Sequence, residues 1–307
     1  MVLDSKIYIA GHNGMVGSSI VRALSKKGYV NLATASSREL DLRDQQRTTN
    51  FFAKERPDYV ILAAARVGGI RANIKYPGDF IYDNLAIQNN VINASKSFDV
   101  KKVVFLGSSC IYPKECAQPM KEEYLLSGPL EPTNEGYALA KIAGIIMLNS
   151  YKKQYGLNSI SIIPPNLYGP NDSFDLEHCH VLSALVKRFS DALSNNDKEI
   201  TLWGTGIARR EFMHVDDLAK AVVYLLEKKA EKELINIGWG KDISIKELAE
   251  IIAKKTGFKG KIQWDSGKPN GMLKKCMNID RMNELNIIPK IKLNDGIDEM
   301  IKIYKAL

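Results

Sequence analysis

The chain has 307 residues, 45% of them hydrophobic and 25% charged, which excludes a disordered chain and leaves room for one large or two unequal α/β domains. No apolar run reaches the length of a membrane span, and four cysteines without a CxxC pair suit reduced thiols in a cytoplasm. The formal net charge is +8, but the lysines are scattered in ones and twos without interleaved aromatics, which predicts solvated helix faces and a mild field favouring anionic small molecules, not a nucleic-acid surface.

Residues 6–10 read as a short strand that begins almost at once, leaving no room for a signal peptide. Gly11-His12-Asn13-Gly14-Met15-Val16-Gly17 follows, then an apolar-periodic helix around 20–24. Strand, glycine turn and helix make a phosphate cradle: glycines permit a tight turn and close backbone approach, and the helix start offers unpaired N–H groups to a pyrophosphate. The next strand, 30–35, ends in Ser36-Ser37-Arg38 with no carboxylate before Glu39. NAD binders place an acid about there for the ribose, so this strand end predicts a 2′-phosphate and NADP(H). Asp41-Leu42, a helix over 45–54 and a strand over 59–62 come next, the last ending in Ala63-Ala64-Ala65, small enough for a flat ring or ribose to approach. A long helix over 78–97 contains Asn84.

The strand over 103–106 is apolar throughout and runs into Gly107-Ser108-Ser109-Cys110-Ile111-Tyr112-Pro113. In open α/β sheets ligands bind outside the carboxyl ends of strands, so Ser108, Ser109 and Cys110 are placed to face one. After a polar loop, a helix opens at 131–141 and runs to about 155; Tyr137 and Lys141 are four residues apart and share one face, where an ammonium is expected to lower the phenol pKa. Strand and helix alternate with a period near 30 residues, which predicts right-handed crossovers and a parallel, doubly wound sheet.

A strand over 158–163 leads into Pro164-Pro165-Asn166-Leu167-Tyr168-Gly169-Pro170, expected to be a rigid turn out of the sheet. His178-Cys179-His180 lacks the spacing of a zinc site, and a single His aimed at a pocket fits better; no metal is expected. A helix over 181–193 carries Lys187 and Arg188. Trp203, Arg209-Arg210-Glu211-Phe212 and a helix opening at His214 follow, then a strand over 234–237 that returns to the main sheet. Helices at 244–255, 281–285 and 293–304 flank a basic loop over 265–275.

Taken together, the motifs GHNGMVG, LAAARVGGI, GSSCIYPK, EPTNEGYALAK, NLYGP, REFMHVDD and KPNG resemble the extended short-chain dehydrogenase/reductase family, and within it the enzymes that act on GDP-linked 4-keto sugars. The resemblance covers the chain from Lys6 onward and implies a Rossmann domain over 1–165 and 213–240 with a smaller C-terminal substrate domain over 166–212 and 241–307. It implies reduction at C4 with epimerisation at C3 and C5 of a GDP-4-keto-6-deoxy-hexose. Tyr137 is then the proton donor to the C4 oxygen, Lys141 and Ser108 its partners, and Cys110 and His180 the acid–base pair at carbon. Asp41, Leu42, Ala63, Ala64, Ala65, Asn84, Pro164, Asn166, Leu167 and His180 join the glycine turn and Arg38 around the NADP(H). Ser108, Ser109, Cys110, Asn166, Lys187, Arg188, Trp203, Arg210, Lys274 and Lys275 are the implied substrate contacts. A homodimer without membrane or nucleic-acid partners is the implied assembly.

Several positions depart from the family pattern. Asn13 stands where an Arg often meets the 2′-phosphate, Pro165 where a Thr is usual, Ser183 where a Pro is, and Met272-Leu273 where the substrate loop has Thr-Pro. These keep open a C4 reductase of a GDP-heptose with little or no epimerisation. A non-catalytic NADP-binding regulator has no need to keep Ser108, Tyr137 and Lys141 together. A 4,6-dehydratase wants an Asp-Glu pair where Ser109-Cys110 stand, and a 4-epimerase holding NAD wants the missing ribose carboxylate.

Overall fold

The computed structural model describes residues 1–177, 179–228, 232–268 and 270–307. His178 of the histidine–cysteine triplet and Pro269 of the KPNG motif therefore lie outside the described residues. In chain order the first half runs β1 (Ile7–Ala10), α1 (Met15–Lys26), β2 (Leu32–Ala33), α2 (Gln45–Glu55), β3 (Tyr59–Leu62), α3 (Ile70–Lys75), α4 (Pro77–Ser97), β4 (Lys102–Leu106), α5 (Glu135–Tyr155), β5 (Ser159–Ile163) and β6 (Asn166–Tyr168). The second half runs α6 (Val181–Ser194), β7 (Glu199–Trp203), β8 (Arg209–His214), α7 (Val215–Glu227), β9 (Leu234–Asn236), β10 (Asp242–Ser244), α8 (Ile245–Thr256), β11 (Lys261–Asp265), β12 (Lys274–Lys275), α9 (Asp280–Glu284) and α10 (Leu293–Lys305).

Six strands form one parallel sheet in the order β2-β1-β3-β4-β5-β9. Alternate residues of its strands point to opposite faces. Tyr8, Val60, Leu62, Val103 and Phe105 pack on one side with Phe52 of α2, Val91 of α4 and Ile145 of α5. Ile7, Ile9, Ile61, Val104 and Ile160 pack on the other with Ile20 of α1, Leu218 of α7 and Met282 of α9. Burial on both faces explains why these strands read as continuous apolar runs. The expected doubly wound parallel sheet is present. Its strand order turns back beside β1, so the crevice outside the carboxyl ends of β1 and β3 is the switch point where such sheets bind ligands.

A third core lies away from this sheet, where Leu182, Val186 and Phe189 of α6 meet Leu248 and Ile252 of α8 and Ile297 and Met300 of α10. Two local expectations need correction. Residues 166–170 are not wholly a turn, because β6 pairs with β8 from Asn166 opposite Phe212. The basic segment 265–275 is not wholly a loop, because Lys274 and Lys275 form β12 beside Arg209 and Arg210. One buried carboxylate organises this second region. Glu211 of β8 accepts backbone N–H bonds from Trp239, Gly240 and Met277 at 2.5, 2.8 and 2.7 Å. Burial nevertheless outweighs those bonds and pushes its pKa up to about 7.

Candidate active site

A cavity of about 970 Å³ runs from the switch point of the sheet to the third core. At one end the chain turns through Gly11, whose φ is +85°, and a Cβ there would stand 2.7 Å from the Ala64 nitrogen. A Cβ on Gly17 would stand 2.1 Å from the Gly11 oxygen, so the turn and the first turn of α1 fit only without side chains. Gly14 caps α1 without a side-chain bond, which leaves the helix N–H groups open toward the cavity. His12 lines the same wall, and its buried Nδ1 has no hydrogen-bond partner among the described residues. Open backbone donors, a side-chain-free cradle and an orphan ring nitrogen fit a dinucleotide pyrophosphate.

Asn13, Met15, Val16, Asp41, Leu42, Ala63, Ala64, Ala65, Pro164, Asn166 and Leu167 all line this cavity, as expected. Asn84 does not. It is buried, accepts from the Arg66 N–H at 3.0 Å and donates to the Arg66 and Phe80 carbonyls at 3.0 and 2.7 Å, so it fixes the Ala63–Arg66 wall from behind. Ser36 and Ser37 line the cavity and Arg38 does not; it is exposed just outside. Arg43, which the sequence did not single out, lines the wall but is committed to Asp41 and Asp83 at 2.8 and 3.1 Å. Arg38 stands exposed next to Ser36 and Ser37 in sequence.

Ser108, Cys110, Tyr137 and Lys141 line the same cavity. β4 delivers Ser108 at its carboxyl end, where the hydroxyl caps a short 3-10 turn by accepting the Cys110 N–H at 3.3 Å. α5 delivers Tyr137 and, one turn on, Lys141. It comes close to α4 and β4 because Gly136 and Gly144 leave room: Cβ atoms there would stand 3.2 Å from the Pro77 oxygen and 2.7 Å from the Phe105 ring. The expected charge relation differs in one respect. Lys141 donates to the Leu106 carbonyl at 2.8 Å, with its Nζ 5.9 Å from the centre of the Tyr137 ring. Burial pulls the Lys141 pKa down to about 7. Burial also holds the Tyr137 phenol above its usual range, against a hydrogen bond with Ser108 that lowers it. The phenol is thus held in its protonated form.

Cys110 has a polar setting that local spacing did not reveal. Its Sγ accepts from Asn134 Nδ2 at 3.0 Å and from Lys275 Nζ at 3.5 Å. A thiolate there would have an ammonium and an amide donor against it. His180, the residue before α6, lines the same cavity, as do Ser109, Arg188, Trp203 and Arg210. Two expected contacts lie elsewhere. Lys187 is held by Asp191 and the Tyr304 hydroxyl, both at 2.9 Å. Lys274 pairs with Asp242 at 3.2 Å. Among the described residues no group of three or more His, Cys, Asp or Glu stands together to hold a metal ion, and no helix is long and apolar enough to cross a membrane.

Residues 7–238 match the model of the NAD dependent epimerase/dehydratase family. GDP-L-fucose synthase 1 of Arabidopsis thaliana is 51% identical over 98% of this chain and 93% of its own length. A GDP-6-OMe-4-keto-L-xylo-heptose reductase from C. jejuni superposes with a TM-score of 0.93 at 39% identity, covering 100% of this chain and 99% of that one. A GDP-mannoheptose C4 reductase from Campylobacter jejuni with NADP bound superposes with a TM-score of 0.88 at 40% identity, covering 99% of both chains. With the glycine cradle, the parallel sheet and full-length similarity in agreement, the chain belongs to the NAD dependent epimerase/dehydratase family.

Proposed function

We propose that the protein is an NADPH-dependent enzyme that reduces C4 and epimerises C3 and C5 of a GDP-4-keto-6-deoxy-hexose. The observation that carries this reading is the placement of Cys110, held by Asn134 and Lys275, in the same cavity as Ser108 and Tyr137. One set of groups serves reduction and the other serves proton transfer at carbon. The 51% identity to a GDP-L-fucose synthase supports the sugar.

NADPH, when bound, supplies the hydride. Ser108 and Tyr137 hold the C4 oxygen, and Tyr137 gives it a proton as the alkoxide develops. Lys141 keeps the donor in place and meets the nicotinamide ribose. The C4 ketone acidifies the protons on C3 and C5. Cys110 as thiolate removes one, and His180 returns a proton from the opposite face, restoring the ketone with inverted configuration. Arg188, Arg210 and Lys275 surround the diphosphate, the last also in contact with Cys110 Sγ. The sheet and its two flanking cores act as the cofactor domain (1–165 and 213–240), and the third core with β7, β8 and β10 to β12 as the substrate domain (166–212 and 241–307). Four free cysteines support a reducing, cytoplasmic setting. Two copies pairing through helices that flank the sheet complete the reading.

A second reading has its own support in the likeness to two GDP-heptose reductases. There the chain only reduces, and Cys110 and His180 bind substrate. Incubation with GDP-4-keto-6-deoxy-mannose and NADPH, with the product identified by NMR, separates the two. Inversion at C3 and C5 with reduction at C4 is expected. An alcohol of retained configuration supports the second reading; an unconsumed ketone contradicts the first, and contradicts both if a GDP-4-keto-heptose is left unreduced as well.

A further inference from the structure

Among the described residues five arginines rest on carboxylates: Arg22 on Asp216, Arg43 on Asp41 and Asp83, Arg66 on Asp79 and Asp83, Arg209 on Asp242 and Glu247, and Arg281 on Glu122 and Glu123. Three other arginines, Arg71, Arg188 and Arg210, line the cavity, and among the described residues none has a carboxylate ion pair. Arg188 donates to the Thr201 carbonyl at 2.6 Å, and Arg210 to the carbonyls of Arg209 and Asn270 at 2.8 and 3.2 Å. Burial first, and the neighbouring Arg71 charge second, hold Arg188 below its usual range. Arg71 and Arg188 are thus like charges close enough to repel, with no carboxylate ion pair to either among the described residues, and they call for an anion between them; Arg210, drawn to Cys110 and Glu131, is already partly compensated.

Arg71 is not placed there by chance of a flexible loop. It is the second residue of α3, whose start is pinned from two sides. Asn73 donates back to the Gly68 and Gly69 carbonyls at 2.9 and 3.0 Å, and a Cβ on Gly69 would stand 2.9 Å from the Cys179 oxygen. From this fixed base the guanidinium lies 4.2 Å from the ring centre of Trp203, with the Lys268 ammonium 5.6 Å from the same ring. The indole thus braces a planar cation at the rim of the cavity, and a guanidinium on an aromatic face keeps its edge free for anion oxygens.

We propose that Arg71 is a substrate-binding residue: braced on Trp203, its guanidinium joins Arg188 in holding the diphosphate of the nucleotide sugar. This assignment rests on the nucleotide-sugar reading above. It adds a contact from α3, an element on the cofactor side, so the substrate anion bridges the two sides of the cavity. Arg71 is remote from Ser108 and Tyr137 in role, and its loss is expected to act on substrate affinity and not on the redox step.

Calorimetric titration of wild type, Arg71→Leu and Arg71→Lys with GDP, guanosine and NADPH tests this. Arg71→Leu is expected to weaken GDP binding about tenfold, the effect of one charge-assisted contact. Guanosine and NADPH affinities stay within twofold (on the order of measurement error). Arg71→Lys keeps the charge without the stacked plane and falls between. Wild-type GDP affinity declines more steeply with added salt than that of Arg71→Leu. An unchanged GDP affinity in Arg71→Leu overturns the assignment, as does an equal loss for guanosine, which would make Arg71 a support for the base. Weakened NADPH binding in the same variant would mark a general structural defect and also overturn it. A wild type that binds NADPH but not GDP overturns the functional reading itself, and this assignment with it.

Discussion

Tyr137 is buried enough to stay protonated at neutral pH, and Ser108 is its hydrogen-bond partner. Tyr137→Phe removes the acid and leaves the ring against Phe80. C4 reduction is expected to fall by about 10²- to 10⁴-fold while NADPH affinity barely moves. A variant reducing at near the wild-type rate would refute the role. At the cofactor's other end, Ser36 and Ser37 line the cavity, Arg43 is held by Asp41 and Asp83, and Arg38 is exposed next to the two serines. Arg38→Ala is expected to raise the NADPH KM by about three- to tenfold, the effect of one exposed phosphate contact, and to leave that for NADH unchanged. Equal use of both cofactors by the wild type would contradict the reading of this strand end.

Elements bring these residues together, and one of them depends on a buried charge. Lys102, the first residue of β4, donates to the Leu225 and Lys228 carbonyls at 2.5 and 2.6 Å and so closes the carboxyl end of α7. Burial pulls its pKa down to about 8 from an ordinary 10.5. Between those values the unfolded chain binds more protons than the folded one, so this group adds stability as pH rises through the window. Urea unfolding of wild type and Lys102→Met should show the wild type gaining about 1–2 kcal/mol on the variant between pH 7 and 9.5. A pH-independent difference would contradict this. The strands and helices of the main sheet were legible because two-sided burial and helical period leave continuous local signals: strand 59–62 and the long helix ending at Ser97 match the structure to a residue or less at each end. β6, β8 and β12 were not legible as strands. β6 and β12 are short, and all three obtain their partners from distant segments, so their pairing is a tertiary fact.

At the scale of the whole molecule, the candidate site divides in the same way. Gly11, Ser108, Tyr137 and Lys141 announce themselves through local spacing, and the fold brings them to one cavity. Lys275 meets Cys110 across 165 residues of sequence, and Arg71 meets Trp203 from another element, so neither contact leaves a local trace. The central claim is that one cavity carries out two chemistries, reduction by Tyr137 and proton exchange by Cys110. Solvent deuterium exchange separates them, because exchange needs the ketone and the base but no hydride. Wild type incubated with GDP-4-keto-6-deoxy-mannose in D₂O without NADPH is expected to incorporate deuterium at C3 and C5. Cys110→Ser should lose that exchange and, given NADPH, still reduce the ketone to an alcohol of retained configuration. Reduction by a wild type that incorporates no deuterium at either carbon would contradict the account and leave a reductase alone.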